Sequence, residues 1–399
     1  MAHAPAAARR APPPRRRTLS WRSRRTRALA YQLLALAVVG FLGWLLVSNT
    51  LTNMRLRGIQ SGFDFLAQPA GFDIGEGWLP YDSADAYWKA FLAGVVNTLR
   101  VAVVGIVLTT ILGTLLGVGR FSRNALLRGL CYAYVEIFRN IPVLLQLLMW
   151  YLLLTEYLPL PGDALRVGHL FFLSKNGLSF PALTWEAGHW LAVGGLALGC
   201  AASFAWVRFA RARFERTGRP LPVASVVLLL LVALSWLGWL AGGAPAQFQF
   251  PEVGELQVEG GSALSPEYLA VLLGLVLYTS SYVAEVVRAG IASVARGQHE
   301  ASASLGLSRA RSMRLVVLPQ AMRLIIPPLT NQYLNLTKNS SLAVAVGYPD
   351  VVSIANTALN QSGRAVECIA IIMAVYLTLS VATSALMNWL NRRAALRER

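Results

Sequence analysis

Gln298-His299-Glu300-Ala301-Ser302-Ala303-Ser304-Leu305-Gly306-Leu307, running on to Val316-Val317-Leu318-Pro319, is a basic loop set between two strongly apolar runs. Its order decides how the chain reads: Glu-Ala-small, a glycine six residues after the Glu, then apolar-x-Leu-Pro closing nineteen residues after it. Gly297 and Gly306 bracket a segment of Ala and Ser long enough for two or three helical turns, with Glu300 placed favourably near its N-terminus. Small side chains let such a helix lie close against another protein surface. Gly306 permits a sharp exit and Pro319 starts the return of the chain. The plainer reading is an amphipathic surface helix on a basic loop.

The flanking composition is that of a membrane protein. Of 399 residues, 55% are hydrophobic and 14% charged, too little charge to wrap a soluble globule of this size. Apolar runs near or above the roughly 20 residues that cross a bilayer fall at 28–48, 91–119, 142–158, 189–206, 221–241, 267–287, 324–347 and 368–390. The run 91–119 exceeds a hydrocarbon core of about 30 Å, so its ends tilt or reach the interface, and Arg100 is expected to snorkel outward.

Charge placement orients these eight spans. With the Arg-rich start inside, the inside loops carry Arg120, Arg123 and Arg128, then Arg208 to Arg219, then Arg296, Arg309, Arg311, Arg314 and Arg323, and finally Arg392, Arg393, Arg397 and Arg399. The opposite loops carry Asp64, Asp73, Glu76, Asp82 and Asp85, and Glu252, Glu255 and Glu259. Both termini are therefore expected in the cytoplasm, and the net charge of +17 records membrane orientation instead of nucleic-acid contact. A secretory or twin-arginine signal around Ser23-Arg24-Arg25 is the rival for the first span, but that run is long and Val47-Ser48-Asn49-Thr50 offers no A-x-A cleavage site.

Chemistry-bearing motifs are sparse. Cys131, Cys200 and Cys368 are far apart and suggest neither a disulfide framework nor a metal site, and the four histidines never fall at ligand spacing. No P-loop, HExxH or GxSxG pattern occurs, so no catalytic residue, metal ligand or ATP-hydrolysing site is assigned to this chain.

The loop around Glu300 resembles the cytoplasmic EAA loop of ABC importer membrane subunits. Ser280-Ser281-Tyr282-Val283-Ala284-Glu285-Val286-Val287-Arg288-Ala289-Gly290-Ile291, Asn97-Thr98-Leu99, Glu136-Ile137-Phe138-Arg139-Asn140-Ile141-Pro142 and Lys338-Asn339-Ser340-Ser341-Leu342 are similar to the polar amino-acid permeases of that superfamily, the histidine, glutamine and arginine type. Arg-Asn-Ile-Pro and the enlarged layout are most like the permeases of general L-amino acid importers. The resemblance implies an all-α integral membrane protein with the type I ABC importer fold: a five-helix core plus three extra helices, in the bacterial inner membrane.

Its divisions are a basic arm (1–27), an extra helix (28–48), a periplasmic segment (49–90), the first part of the core (91–158), an insertion with two helices (159–266), the second part of the core (267–391) with the coupling loop 290–323, and a basic tail (392–399). It implies that Gly297, Glu300, Ala301, Ser302, Gly306, Leu318 and Pro319 couple to a dimer of ATP-binding-cassette subunits, which alone hold ATP and Mg. Further implied partners are a second permease, related or identical, a periplasmic amino-acid-binding protein and the amino-acid substrate. Ser302 replaces the second Ala and Val316 the usual Ile; both swaps preserve size and branching.

Asn331, Asn335 and Lys338 stand at i, i+4 and i+7 on one face of the seventh span, with Ser341 close by. An ionisable group in mid-span is costly unless it meets water, a partner or substrate. The stripe lines a pathway or bonds helices together. Glu136 with Arg139 and Glu285 with Arg288 are i, i+3 pairs that can neutralise each other; they read as end anchors with Pro142 at the elbow, as a gate, or, for Glu285, as contact with a substrate ammonium. A secondary transporter or channel, or a membrane-embedded enzyme, are the competing functions.

Overall fold

A computed structural model describes residues 24–56, 58, 61–254 and 258–394. Most of the expected basic arm, Glu255, and Arg397 and Arg399 of the tail lie outside the described residues. Twelve helices are found among them: α1 (Arg24–Leu56), α2 (Tyr87–Gly119), α3 (Ala125–Asn140), α4 (Val143–Leu152), α5 (Ala187–Thr217), α6 (Val223–Ala241), α7 (Pro266–Ala292), α8 (Arg296–Ser304), α9 (Arg309–Ser312), α10 (Leu318–Asn339), α11 (Val351–Ser362) and α12 (Ala365–Ala394). Six are long and apolar enough to cross a membrane, and the bent pairs α3–α4 and α10–α11 raise the number to eight when each is counted as one span.

The centre of the bundle is the parallel pair α2 and α7, which approach along small residues. A Cβ on Gly113 would stand 2.6 Å from the Val283 side chain, and one on Gly117 2.7 Å from the Ala284 carbonyl oxygen. Such contact is the main source of helix adhesion where lipid tails remove the hydrophobic drive. Val283, Val287 and Ile291 of α7 then pack with Ala321, Ile325 and Leu329 of α10 and Met387 of α12.

Helix α3 is an element that the apolar count passes over, since it is amphipathic and carries Arg128, Glu136 and Arg139. It meets α4 at an angle of 102°. Pro142 at the junction has no N–H to continue the ladder, and the buried Gln146 amide instead donates to the carbonyls of Phe138 and Ile141, both at 2.9 Å. The elbow expected at Pro142 is thus a broken helix with its freed acceptors satisfied.

The insertion differs from the all-helical expectation outside the membrane. Its segments form β1 (Leu165–Val167), β2 (Phe171–Ser174), β3 (Gly177–Phe180), β4 (Ala182–Leu183), β5 (Phe248–Gln249), β6 (Glu252–Val253), β7 (Val258–Glu259) and β8 (Ser262–Leu264). Four make one antiparallel sheet in the order β1-β2-β3-β8, with Leu178 opposite Leu264. This sheet brings the chain leaving α4 back to the entry of α7, so the hairpin α5–α6 is inserted without separating the core helices. The hairpin packs on itself, and His189 serves the start of α5 through a reciprocal cap with Glu186. The most apolar windows of α1 and α6 bury none of their residues, as helices facing lipid do.

Because α2 and α7 run parallel, the connections divide between two ends. Segments 61–86, 158–186, 242–265 and 347–364 gather at one end. Segments 120–124, 218–222 and 293–317, which includes Glu300, gather at the other.

Candidate functional site

The Glu300 loop leaves α7, makes α8 and α9, and enters α10 through a π-turn at Met313–Val317. Helix α8 begins at Arg296, so Gly297 is its second residue and Glu300 its fifth. Gly297 lies one residue inside the start of the helix, and Glu300 falls past its first turn, so the expectation of Glu300 at the favourable N-terminal position is corrected. Gly306 marks the exit, with φ +72°; its N–H donates to Ala303 O at 2.9 Å and the Leu307 N–H to Ser302 O at 3.1 Å, a left-handed helix stop. Leu318 and Pro319 open α10 directly behind the π-turn.

Ser302 is the buried residue of α8. Its hydroxyl lies 2.6 Å from that of Ser312 and donates to His299 O at 2.8 Å, so the helix is fastened to the turn leading into α10. Glu300, Ala301, Ala303, Ser304 and Leu305 are exposed, Leu305 by 79%. The loop therefore presents a small-residue helix edged by an uncovered leucine, on a frame tied to two membrane spans.

Glu285 sits just inside this end of the bundle. Arg120 Nη1 lies 2.5 Å from its carboxylate, and Arg288 Nε donates to both oxygens at 3.1 Å, with its Nη2 closer still. The i, i+3 pair is present, but Arg120 of the α2 terminus joins it and ties α2 to α7. A carboxylate shared by two guanidiniums is already neutralised, which favours the anchoring reading of Glu285 over contact with a substrate ammonium. Glu136 and Arg139 form no ion pair among the described residues: Glu136 takes Asn140 instead, at 3.4 Å, and Arg139 contributes its carbonyl to Tyr282 Oη at 3.3 Å.

On α10 the buried face carries Ala321, Ile325, Leu329, Tyr333, Leu336 and Thr337, while Pro327, Pro328, Asn331, Asn335 and Lys338 are exposed along the other. Leu336 packs against Gly105 near the middle of α2, which keeps Lys338 at the depth of the bundle. No hydrogen bond or ion pair engages the side chains of Asn331, Asn335 or Lys338 among the described residues, so the stripe does not bond helices within this chain. Ser341 stands apart, donating to Lys338 O at 2.8 Å.

At the opposite end a constellation emerges that sequence reading missed. Arg100 does not snorkel; it is 7% exposed, bonded to Glu76 at 2.6 Å, and lies 4.0 Å from the ring centre of Tyr268 and 5.1 Å from that of Trp78. Ser265, the N-cap of α7, donates to the second Glu76 oxygen. Asn97 donates at 2.9 Å to both Glu76 O and Pro349 O, pinning the 61–86 segment to the turn before α11. A charged residue inside an apolar run was the available signal. Nearby, the Lys89 ammonium holds the Asp85 carboxyl below its ordinary range.

Arg100→Gln is expected to lower unfolding stability by roughly 3 kcal/mol, as removing one partner of a buried ion pair does. Arg100→Gln with Glu76→Gln should lose less, because no charge is then left unpaired; thermal unfolding of the two variants in lipid nanodiscs measures the difference. Equal losses would show that the ring packing, not the pair, matters.

Among the described residues no three His, Cys, Asp or Glu side chains gather where they would hold a metal ion. What the geometry offers is a docking loop at one end, a polar stripe on an uncovered helix face, and an ion-paired clasp at the other end. Residues 194–396 match the family described as the inner membrane component of binding-protein-dependent transport systems, and this chain belongs to that family.

Its relatives extend the match to nearly the whole chain. It is 45% identical to the general L-amino acid transport system permease protein AapQ of Rhizobium johnstonii, over 94% of this chain and 93% of the relative. It is 45% identical to the putative amino-acid ABC transporter permease protein YhdX of Escherichia coli, over 96% and 98%. With the glutamate/glutamine/aspartate/asparagine transport system permease protein BztB of Rhodobacter capsulatus it shares 37% identity over 94% and 95%.

Proposed function

We propose that this chain is the membrane-spanning permease subunit of an ATP-driven importer that carries L-amino acids into the cytoplasm across a bacterial inner membrane. The observation that carries the reading is α8: an exposed, small-residue helix fastened through Ser302 to Ser312 in the turn leading into α10 and joined to α7 by three residues. A push on α8 is delivered to two spans at once. Glu300, Ala301 and Gly306 meet a separate ATPase dimer, which holds ATP and Mg, while the buried Ser302 fastens the helix from behind and Leu318 and Pro319 pass the movement to α10. Both termini then lie in the cytoplasm with the Glu300 end.

The uncovered face of α10 needs a second permease subunit to close a path around it. Lys338 supplies a cation for the α-carboxylate that every L-amino acid shares, and Asn331 and Asn335 supply adaptable donors and acceptors. The names of the relatives support amino acids as cargo, delivered by a binding protein at the Glu76 end. ATP binding shifts the population between arrangements only by its differential affinity for them.

Proteoliposomes holding this chain with its ATPase, its second permease and the binding protein should accumulate L-glutamine only with ATP on the Glu300 side, unaffected by ionophores. Uptake driven by an ion gradient without the ATPase would overturn the proposal in favour of a secondary transporter.

A further inference from the structure

Where α2 ends there is a cavity of about 470 Å³ walled by Arg120, Arg128 and Arg288 with Phe121, Gly129 and Tyr132, within the roughly 300–1,000 Å³ of small-molecule sites. Arg120 and Arg288 share Glu285, which lies behind the walls and not on them, so the three guanidiniums carry a surplus of two positive charges. Arg123, exposed in the same short loop, adds a third. The N-terminus of the 16-residue α3 opens beside them, with Asn124 capping only the N–H groups of Leu126 and Leu127. Tyr132 lies under the Arg120 guanidinium at 5.2 Å, and a side chain at Gly129 would meet nothing within 4 Å, so the cleft is open.

We infer that this cleft seats the phosphodiester of an anionic phospholipid. Its level favours a lipid over a soluble anion: Arg120 directly follows the apolar run of α2, at the depth of headgroups. Its rim favours the same source, because Phe121, Leu126, Leu127 and Leu130 are exposed around it and offer acyl chains an apolar path. Basic pockets between spans bind anionic headgroups through this combination of charge and depth. A lipid here clamps α3 to the α2–α7 tie, on the side of the molecule that bears the coupling loop.

The test uses the full chain in nanodiscs of phosphatidylcholine with added phosphatidylglycerol, scoring retained anionic lipid by native mass spectrometry. Arg128 is exposed and its side chain's one described hydrogen bond goes to Ser122 O at 3.4 Å, so Arg128→Gln leaves the fold intact. That variant should retain about fivefold less phosphatidylglycerol, the weight of one near-surface arginine, and Arg123→Gln should fall in the same direction. Arg213→Gln, which removes a charge from the far end of α5 at the same end of the bundle, should change nothing. Unaltered retention in Arg128→Gln, an equal loss in Arg213→Gln, or displacement of the lipid by millimolar inorganic phosphate would each overturn the assignment.

Discussion

Gly306→Val is expected to abolish ATP-driven uptake and to strip the ATPase from the complex, while the chain still inserts and its spans still pack. The reason is backbone conformation, not space. A Cβ at Gly306 meets no atom within 4 Å, yet φ is +72°. A residue with a side chain pays about 1–2 kcal/mol there, and a β-branched one more. The left-handed turn directs the chain from α8 into α9, and the Ser302–Ser312 hydroxyl contact depends on that direction. Losing it leaves α8 attached to α7 alone, so its exposed face is no longer held in place for the ATPase and no movement reaches α10. Uptake should fall at least tenfold, equivalent to about 1.4 kcal/mol of productive coupling.

Gly297→Ala separates conformation from contact. Gly297 lies inside α8 with no positive φ and open space around it, so alanine favours the helix. Loss of the ATPase in that variant would mean the methyl group meets the docking surface itself. Co-purification and uptake at ordinary levels in Gly306→Val would sink the coupling role assigned to this loop.

The Glu300 loop is legible because its signal is local. Spacing fixed the helix, the glycine stop and the proline restart within twenty residues, and apolar runs on both sides placed it beside the membrane. Long-range partners were not legible. Arg288 beside Glu285 is readable as an i, i+3 pair, but Arg120, 165 positions away, reaches the same carboxylate only after α2 and α7 pack in parallel. Arg100 looked like a snorkelling residue because Glu76 lies in a loop with no periodicity. Glu136 and Arg139 share a helix face, yet proximity on a helix does not decide between Arg139 and Asn140 as the partner. The sheet of the insertion escaped notice because its strands are two to four residues long, too short for alternation to register.

Lys338→Ala is expected to cut uptake tenfold or more with thermal stability and ATPase docking unchanged. Two physical readings of the stripe give opposite results here. If Lys338 bonded helices within this chain, its removal would destabilise the bundle and transport would fall as a consequence. Among the described residues no such partner engages it, and the face it shares with Asn331 and Asn335 is the one α10 leaves uncovered. A cation carried at the depth of the bundle without a partner costs at least a few kcal/mol, so alanine should leave stability equal or higher. That cost is recovered in the working complex when a carboxylate or water enters the path. Lys338→Arg keeps the charge and should retain part of the uptake, with a raised KM. Parallel losses of stability and transport in Lys338→Ala, matched by Asn331→Ala and Asn335→Ala, would return the stripe to packing between subunits.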